Sequence, residues 1–128
     1  MNLSASSPFH PVDPERIILE TDHCLAFLDK YPVSEGHTLV VPLCPVASLY
    51  ELDDPTHAEI WHAVSRVRAI LVERFHPAGF NIGVNDGQAA GQTVPHAHVH
   101  IIPRYAGDVT DPRGGIRWVK PGEAKYWA

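Results

Sequence analysis

Hydrophobic and polar positions along this chain change period several times, and each change marks an element. Residues 1–14 carry Pro8, Pro11 and Pro14 at intervals that suit neither a helix nor a paired strand, so they read as an irregular N-terminal extension. Residues 16–20 (RIILE) are short and β-branched. Residues 24–29 (CLAFLD) return after the turn TDH, which predicts a pair of strands. After a loop with Pro32 and Gly36, residues 37–43 (HTLVVPL) predict a third strand. From Asp53 the period lengthens: Ile60, Val64, Val67 and Leu71, joined by Ala63 and Ile70, recur at helical spacing. Asp53 and Asp54 can cap the first amides and Pro55 suits the first turn, so a helix is expected from there to about Phe75, closed by Pro77 and Gly79. Trp61 and Val72 lie off that stripe and close together in angle, where they either widen the core or face a second copy. Residues 79–85 (GFNIGVN) predict a fourth strand, residues 86–92 (DGQAAGQ) a glycine-bearing loop, and residues 94–104 (VPHAHVHIIPR) a fifth strand. Residues 105–128 have no period and read as an ordered surface segment. Strands, one main helix, then strands describe an α+β sheet with the helix on one face.

A chain of 128 residues holds one such domain, expected over 1–128, and little more. The longest apolar runs, such as residues 38–43, are far too short to span a bilayer, so no membrane role is expected. The N-terminal MNLSASSPFHP lacks the basic residues and apolar stretch of a secretory signal. Lysine and arginine number 10 against 15 acids, a formal charge of −5, which disfavours a non-specific nucleic-acid binder. Cys24 and Cys44 both sit in apolar, strand-like sequence and form no C-x-x-C pair. They are expected to be buried free thiols in a reducing cytoplasm, with no thiol redox centre.

What changes the picture is the histidine count of nine, and the placing of three of them. His96, His98 and His100 alternate with Ala97, Val99 and Ile101. In a strand, alternate side chains share a face, so three imidazoles share one and the apolar residues pack on the helix with the other. Three buried, unpaired imidazoles would be costly, so the histidine face is expected to look into solvent or a cleft. A metal site is one reading, since His-x-His on a strand can bind zinc. Against it, His96 and His100 are separated by roughly 13 Å of strand, too far to close comfortably on one ion. His57 and His62 on the helix lie about 140° apart, so they cannot share a metal either. The other reading is phosphate chemistry. The loop ahead of the triplet offers Asn85, Gly87, Gly91, Gln92 and Thr93. Its glycines let amides approach an anion, and imidazoles can donate to phosphate oxygens or attack phosphorus.

The stretch GQTVPHAHVHIIPR resembles the signature of the histidine triad family, and CLAFLDKYPVSEGHTLVVPL resembles that family's nucleotide-binding half. The likeness runs from about Arg16 to Arg104, and PRYAGD resembles the fragile-histidine-triad branch. It implies a homodimer with an antiparallel α+β sheet of about five strands, binding purine nucleotides and cleaving at the α-phosphate through a nucleotidyl-histidine intermediate. By that resemblance His98 is the nucleophile. His100 hydrogen-bonds the α-phosphate or the bridging atom, His96 supports the triad, and His37 joins from behind. Asn85 contacts phosphate or the leaving group, and Gly91, Gln92 and Thr93 line a phosphate cradle. Asp29 holds the ribose hydroxyls, which suits an acceptor-only carboxylate. Ile17, Phe27 and Leu28 are candidates for the purine wall. Relatives carry an N-terminal C-x-x-C for a structural zinc. Here that stretch reads Ser7, Pro8, Phe9, His10, and the later zinc histidine is replaced around Pro45, so no zinc is expected. No cofactor is required by this scheme, although magnesium can accompany a polyphosphate.

The leading expectation is therefore hydrolysis of dinucleoside polyphosphates of the diadenosine tetraphosphate type, releasing a nucleoside monophosphate. Arg104, Arg113, Arg117 and Lys120 are the local cations available for the extra phosphates. Nucleoside phosphoramidates or acyl-nucleotides are the alternative substrates. A nucleotide-binding regulatory or scaffold protein with incidental turnover is the rival class, and a zinc-binding regulatory module a third.

Overall fold

The computed structural model describes residues 3–128. The chain enters its sheet at β1 (Ile17–Glu20), returns as β2 (Cys24–Leu28) and crosses to β3 (Thr38–Pro42). Helix α1 (Asp54–Phe75) follows, then β4 (Gly79–Val84) and β5 (Val99–Arg104). The sheet is antiparallel throughout, in the order β1-β2-β3-β5-β4, as expected of an α+β fold. The central position of β5 is what places the histidine segment between β3 and β4.

Helix α1 starts where the Asp53 carboxylate accepts from the Thr56 amide at 2.8 Å. It ends at His76, which takes the left-handed conformation (φ 53°) and donates its N–H to the Val72 carbonyl. The expected stripe is buried: Ile60, Ala63, Val64, Val67 and Leu71 pack on Cys24, Ala26, Val40, Ala97, Val99 and Ile101. Ile70 lies outside that core, half-buried. Trp61 and Val72 remain 39% and 37% exposed, so they do not widen it.

The other face of the sheet is covered too. Leu25, Phe27, Leu39 and Val41 form a second apolar cluster with Leu3, joined by Phe9, Val12, Ile17 and Leu43. The N-terminal extension is thus the lid of a second core, held by side chains rather than by regular structure. Two other expectations are corrected. Cys24 is buried, but Cys44 is exposed, because β3 ends at Pro42 and Cys44 falls in the turn beyond it. The fifth strand pairs only from Val99, because Pro95 has no N–H and the Ala97 N–H donates instead to the Val46 carbonyl at 2.8 Å.

Gly36 fixes the entry to β3. Its φ is +88°, and a Cβ there would lie 2.8 Å from the Phe75 ring and 3.2 Å from Pro103, so only glycine fits. Beyond β5, a 3-10 turn (Gly115–Val119) and a short helix α2 (Pro121–Ala124) order the C-terminal segment. No described helix is long and apolar enough to cross a membrane.

Candidate active site

The alternation of His96, His98 and His100 survives, but their face is not an open one. His96 is fully buried, His98 is 8% exposed and His100 is half-buried. Of the two settings expected, solvent or a cleft, His98 takes the cleft, and the N-terminal segment covers much of the rest of the row. Ser7 is buried beside His96, and the Phe9 ring lies 5.4 Å from that of His96, 5.3 Å from that of His98 and 5.5 Å from that of Phe27. The burial is tolerable because the ring nitrogens find partners.

Those partners fix the tautomers. His96 Nε2 is 2.8 Å from the Pro42 carbonyl, which can only accept, so Nε2 carries the proton. His96 Nδ1 then accepts from the Ser7 hydroxyl at 2.6 Å. The Ser7 oxygen in turn accepts from the Phe9 N–H. His98 Nδ1 donates to the His96 carbonyl at 2.8 Å, which leaves the lone pair on Nε2. The Val33 N–H donates to His37 Nδ1, so His37 is protonated on Nε2 and donates to His100 Nδ1 at 3.0 Å. His100 therefore presents an N–H at Nε2. The His98 and His100 rings meet edge to face, 4.9 Å apart. One ring thus offers a lone pair and its neighbour a proton. Neither Nε2 makes a hydrogen bond within the described residues.

Burial favours the neutral form of three of these rings, His37, His96 and His100. Burial pushes His37 and His96 below the ordinary imidazole value. Burial, with the neighbouring His98 and His37, pushes His100 down to about 4. Asp29 pulls His37 the other way, its carboxylate 3.5 Å from Nε2.

Asp29, His37 and His100 bring three ligand atoms within 4.8 Å of one another. The donor set does not suit a cation. A metal on His37 Nε2 needs the proton on Nδ1, where the Val33 N–H already points.

His98 and Asp29 line a common cleft of about 510 Å³, within the range of small-ligand sites. Phe27, Leu39, Phe9 and Val94 form its apolar wall, and Arg16 and Lys30 also border it. A cleft of about 590 Å³ over Asn81, Arg104 and Asp108 contains no histidine, and those three groups already bond to one another.

The structure redistributes several expected site residues. Ile17 joins the second core and lines a separate, smaller cleft with Leu3 and Leu25. Leu28 shares the strand face of Cys24 and Ala26, opposite Phe27. The loop of residues 86–93 has fewer free donors than the expected phosphate cradle would use. The N–H groups of Gly91 and Gln92 bond to the carbonyls of Gln88 and Gly87, and Gly91 serves as a left-handed hinge at φ 96°. The Gln92 carboxamide is wholly engaged: it accepts from Gly87 N–H and donates to the Ala47 and Val94 carbonyls. Its visible work is to hold the loop. Asn85 and Thr93 make no side-chain hydrogen bond within the described residues and remain available at the end of β4 and before the triad.

The candidate arginines are also committed. Arg104 forks onto Asp108 and reaches Asn81. Arg113 pairs with Asp111 and lies over Trp127, 4.7 Å from the ring centre. Arg117 donates to the Ala124 and Glu123 carbonyls and lies over Tyr126. They bind the C-terminal segment together, and none of them borders the His98 cleft. Ser7, Phe9 and Arg16 are the site residues that sequence reasoning missed. Ser7 and Phe9 lie in a stretch with no period to read.

A row of alternating imidazoles with fixed tautomers, set between β3 and β4 of this sheet, is the constellation of histidine triad proteins. The HIT domain pattern matches residues 10–107, and the chain belongs to that family. It is 42% identical over 92 residues to "Protein hit" of Bacillus subtilis, covering 72% of this chain and 63% of that protein. It is 36% identical over 96 residues to the bis(5'-nucleosyl)-tetraphosphatase (asymmetrical) of Schizosaccharomyces pombe, covering 75% of this chain and 53% of that one. The crystal structure of the Caenorhabditis elegans NitFhit protein superposes with a TM-score of 0.72 at 36% identity, covering 86% of this chain and 26% of that one. The chain thus spans between about a quarter and two thirds of the length of these relatives.

Proposed function

We propose that this protein is a nucleotide hydrolase that cleaves at the α-phosphorus through a covalent intermediate on His98. The observation that carries the reading is the pair of tautomers: a lone pair on His98 Nε2 beside an N–H on His100 Nε2. The His98 nitrogen attacks phosphorus, the P–N bond forms, and the P–O bond to the leaving group breaks. His100 donates to the departing bridging oxygen or to the phosphate, and the His37 Nε2–H behind it, donating to Nδ1, fixes the ring so that its Nε2–H faces the reaction. The charge that develops on His98 is met by the His96 carbonyl already bonded to Nδ1. Water then attacks phosphorus, the P–N bond breaks, and a nucleoside monophosphate leaves.

The remaining parts fit one nucleotide. Asp29 accepts from the ribose hydroxyls, Phe27 with Phe9 and Leu39 walls the purine, and Thr93 and Asn85 donate to phosphate. Dinucleoside polyphosphates are the substrates this reading favours, and the name of the fission-yeast relative supports it. Phosphoramidates and acyl-nucleotides are the second reading, favoured by the commitment of Arg104, Arg113 and Arg117 to partners away from the cleft. No cofactor is needed, beyond magnesium on a polyphosphate.

The test is a product-resolved assay of diadenosine polyphosphates beside an adenosine phosphoramidate, with His98→Ala as the control. The variant is expected to bind nucleoside monophosphate and to lose at least about a hundredfold in kcat, roughly 2.7 kcal/mol. Turnover above a hundredth of the parent's removes His98 from the nucleophile's role.

A further inference from the structure

Arg16 is a half-buried cation at the cleft that nothing in the proposed chemistry uses. Its guanidinium carbon stands 5.5 Å from the centre of the Phe27 ring, on the wall of the cleft that His98 and Asp29 also line. Its Nε is shut off from water and has no hydrogen-bond partner among the described residues. Arg16 forms no ion pair among the described residues either. A buried guanidinium N–H without an acceptor is costly, and the same side chain borders the space that a ligand would fill.

We propose that Arg16 reads the base, and that the site prefers a purine carrying two adjacent acceptors, O6 and N7, over adenine. The inference rests on the nucleotide reading given above. With phosphorus at His98 and ribose at Asp29, the base falls against Phe27, and Arg16 is the charged group that meets it there. An arginine offers only donors, in a fork. Guanine and hypoxanthine present O6 and N7 side by side as acceptors, whereas adenine presents N7 beside an amino donor. The amino group of adenine would face that fork. The carboxylate that lines the cleft, Asp29, is engaged at the ribose.

Calorimetric titration of the full chain with GMP, IMP and AMP tests this. The parent protein is expected to bind GMP and IMP about tenfold more tightly than AMP. Arg16→Met keeps the apolar stem on Phe27 and removes the fork. It should bring the three affinities together by weakening GMP and IMP while leaving AMP within about twofold. Equal affinities in the parent overturn the proposal, as does a variant that weakens all three alike, which would reduce Arg16 to a general charge. Failure of the parent to bind any of the three overturns the nucleotide reading itself, a separate result. Should the variant not fold, the ratio in the parent decides alone.

Discussion

Burying a histidine removes one of its two protonation states, because the charged ring gives up more hydration than the neutral one. His37, His96 and His100 all show this, with His100 displaced from 6.5 to about 4. The unfolded chain takes up these protons near 6.5 while the folded protein refuses them. Between those values the unfolded state holds more protons, so stability falls as pH falls. The urea midpoint should therefore drop from pH 7 to pH 4.5, and His100→Asn should drop less steeply over the same range. A midpoint that holds level in the parent would refute the assignment of neutral, buried rings. The same refusal keeps a proton off His37 and His100, and so preserves the donor order from His37 to His100 at ordinary pH.

Elements carry the site only as firmly as they are fastened to each other, and the turn between β1 and β2 is fastened to α1 by Glu59. That carboxylate accepts from the Thr21 hydroxyl at 2.6 Å, the His23 N–H at 2.7 Å and the His23 ring at 2.9 Å. Burial raises the Glu59 pKa, but the hydrogen bonds from Thr21 and His23 outweigh it and hold it down to about 2. His23 is raised in return, first by its hydrogen bond to Glu59. The Glu59 share of stability is present above 4.5 and is lost as pH falls toward about 2. The His23 share is full below 6.5 and is lost as pH rises through the raised value. Glu59→Gln should therefore lower the melting temperature more at pH 5.5 than at pH 9, measured by circular dichroism. Equal losses would mean that neutral hydrogen bonds, not charge, make the link. The helix and four of the strands were legible to within a residue or so, because periods of 3.6 and 2 are written in side chains one position at a time. The start of β5 was not, since Pro95 interrupts pairing without interrupting alternation. The Ser7, Phe9 and Arg16 contacts were illegible for another reason. They join residues far apart in the chain, and neither irregular backbone nor the first turn of a strand announces its partners.

At the scale of the molecule, both ends of the sheet are open: β1 and β4 each present an edge with no strand partner among the described residues. Trp61 and Val72 add apolar surface on α1. A symmetric pair of chains would cover one such edge and these side chains together, so a homodimer is expected. A monomeric mass by light scattering at micromolar concentration would exclude it. The bond from Ser7 to His96 spans 89 positions, and this has a temporal consequence. During synthesis the residues around Ser7 emerge long before residue 96 exists, so they must wait while the helix and most strands take shape. Distant closures are also slow to form in a refolding chain. After dilution from denaturant, helical signal should return first and nucleotide turnover later, by a lag that Ser7→Ala lengthens. Simultaneous recovery in stopped-flow and quenched assays would show that the N-terminal strap closes with the sheet. On the expectation of a lag, the residues around Ser7, made before the triad, are placed after it.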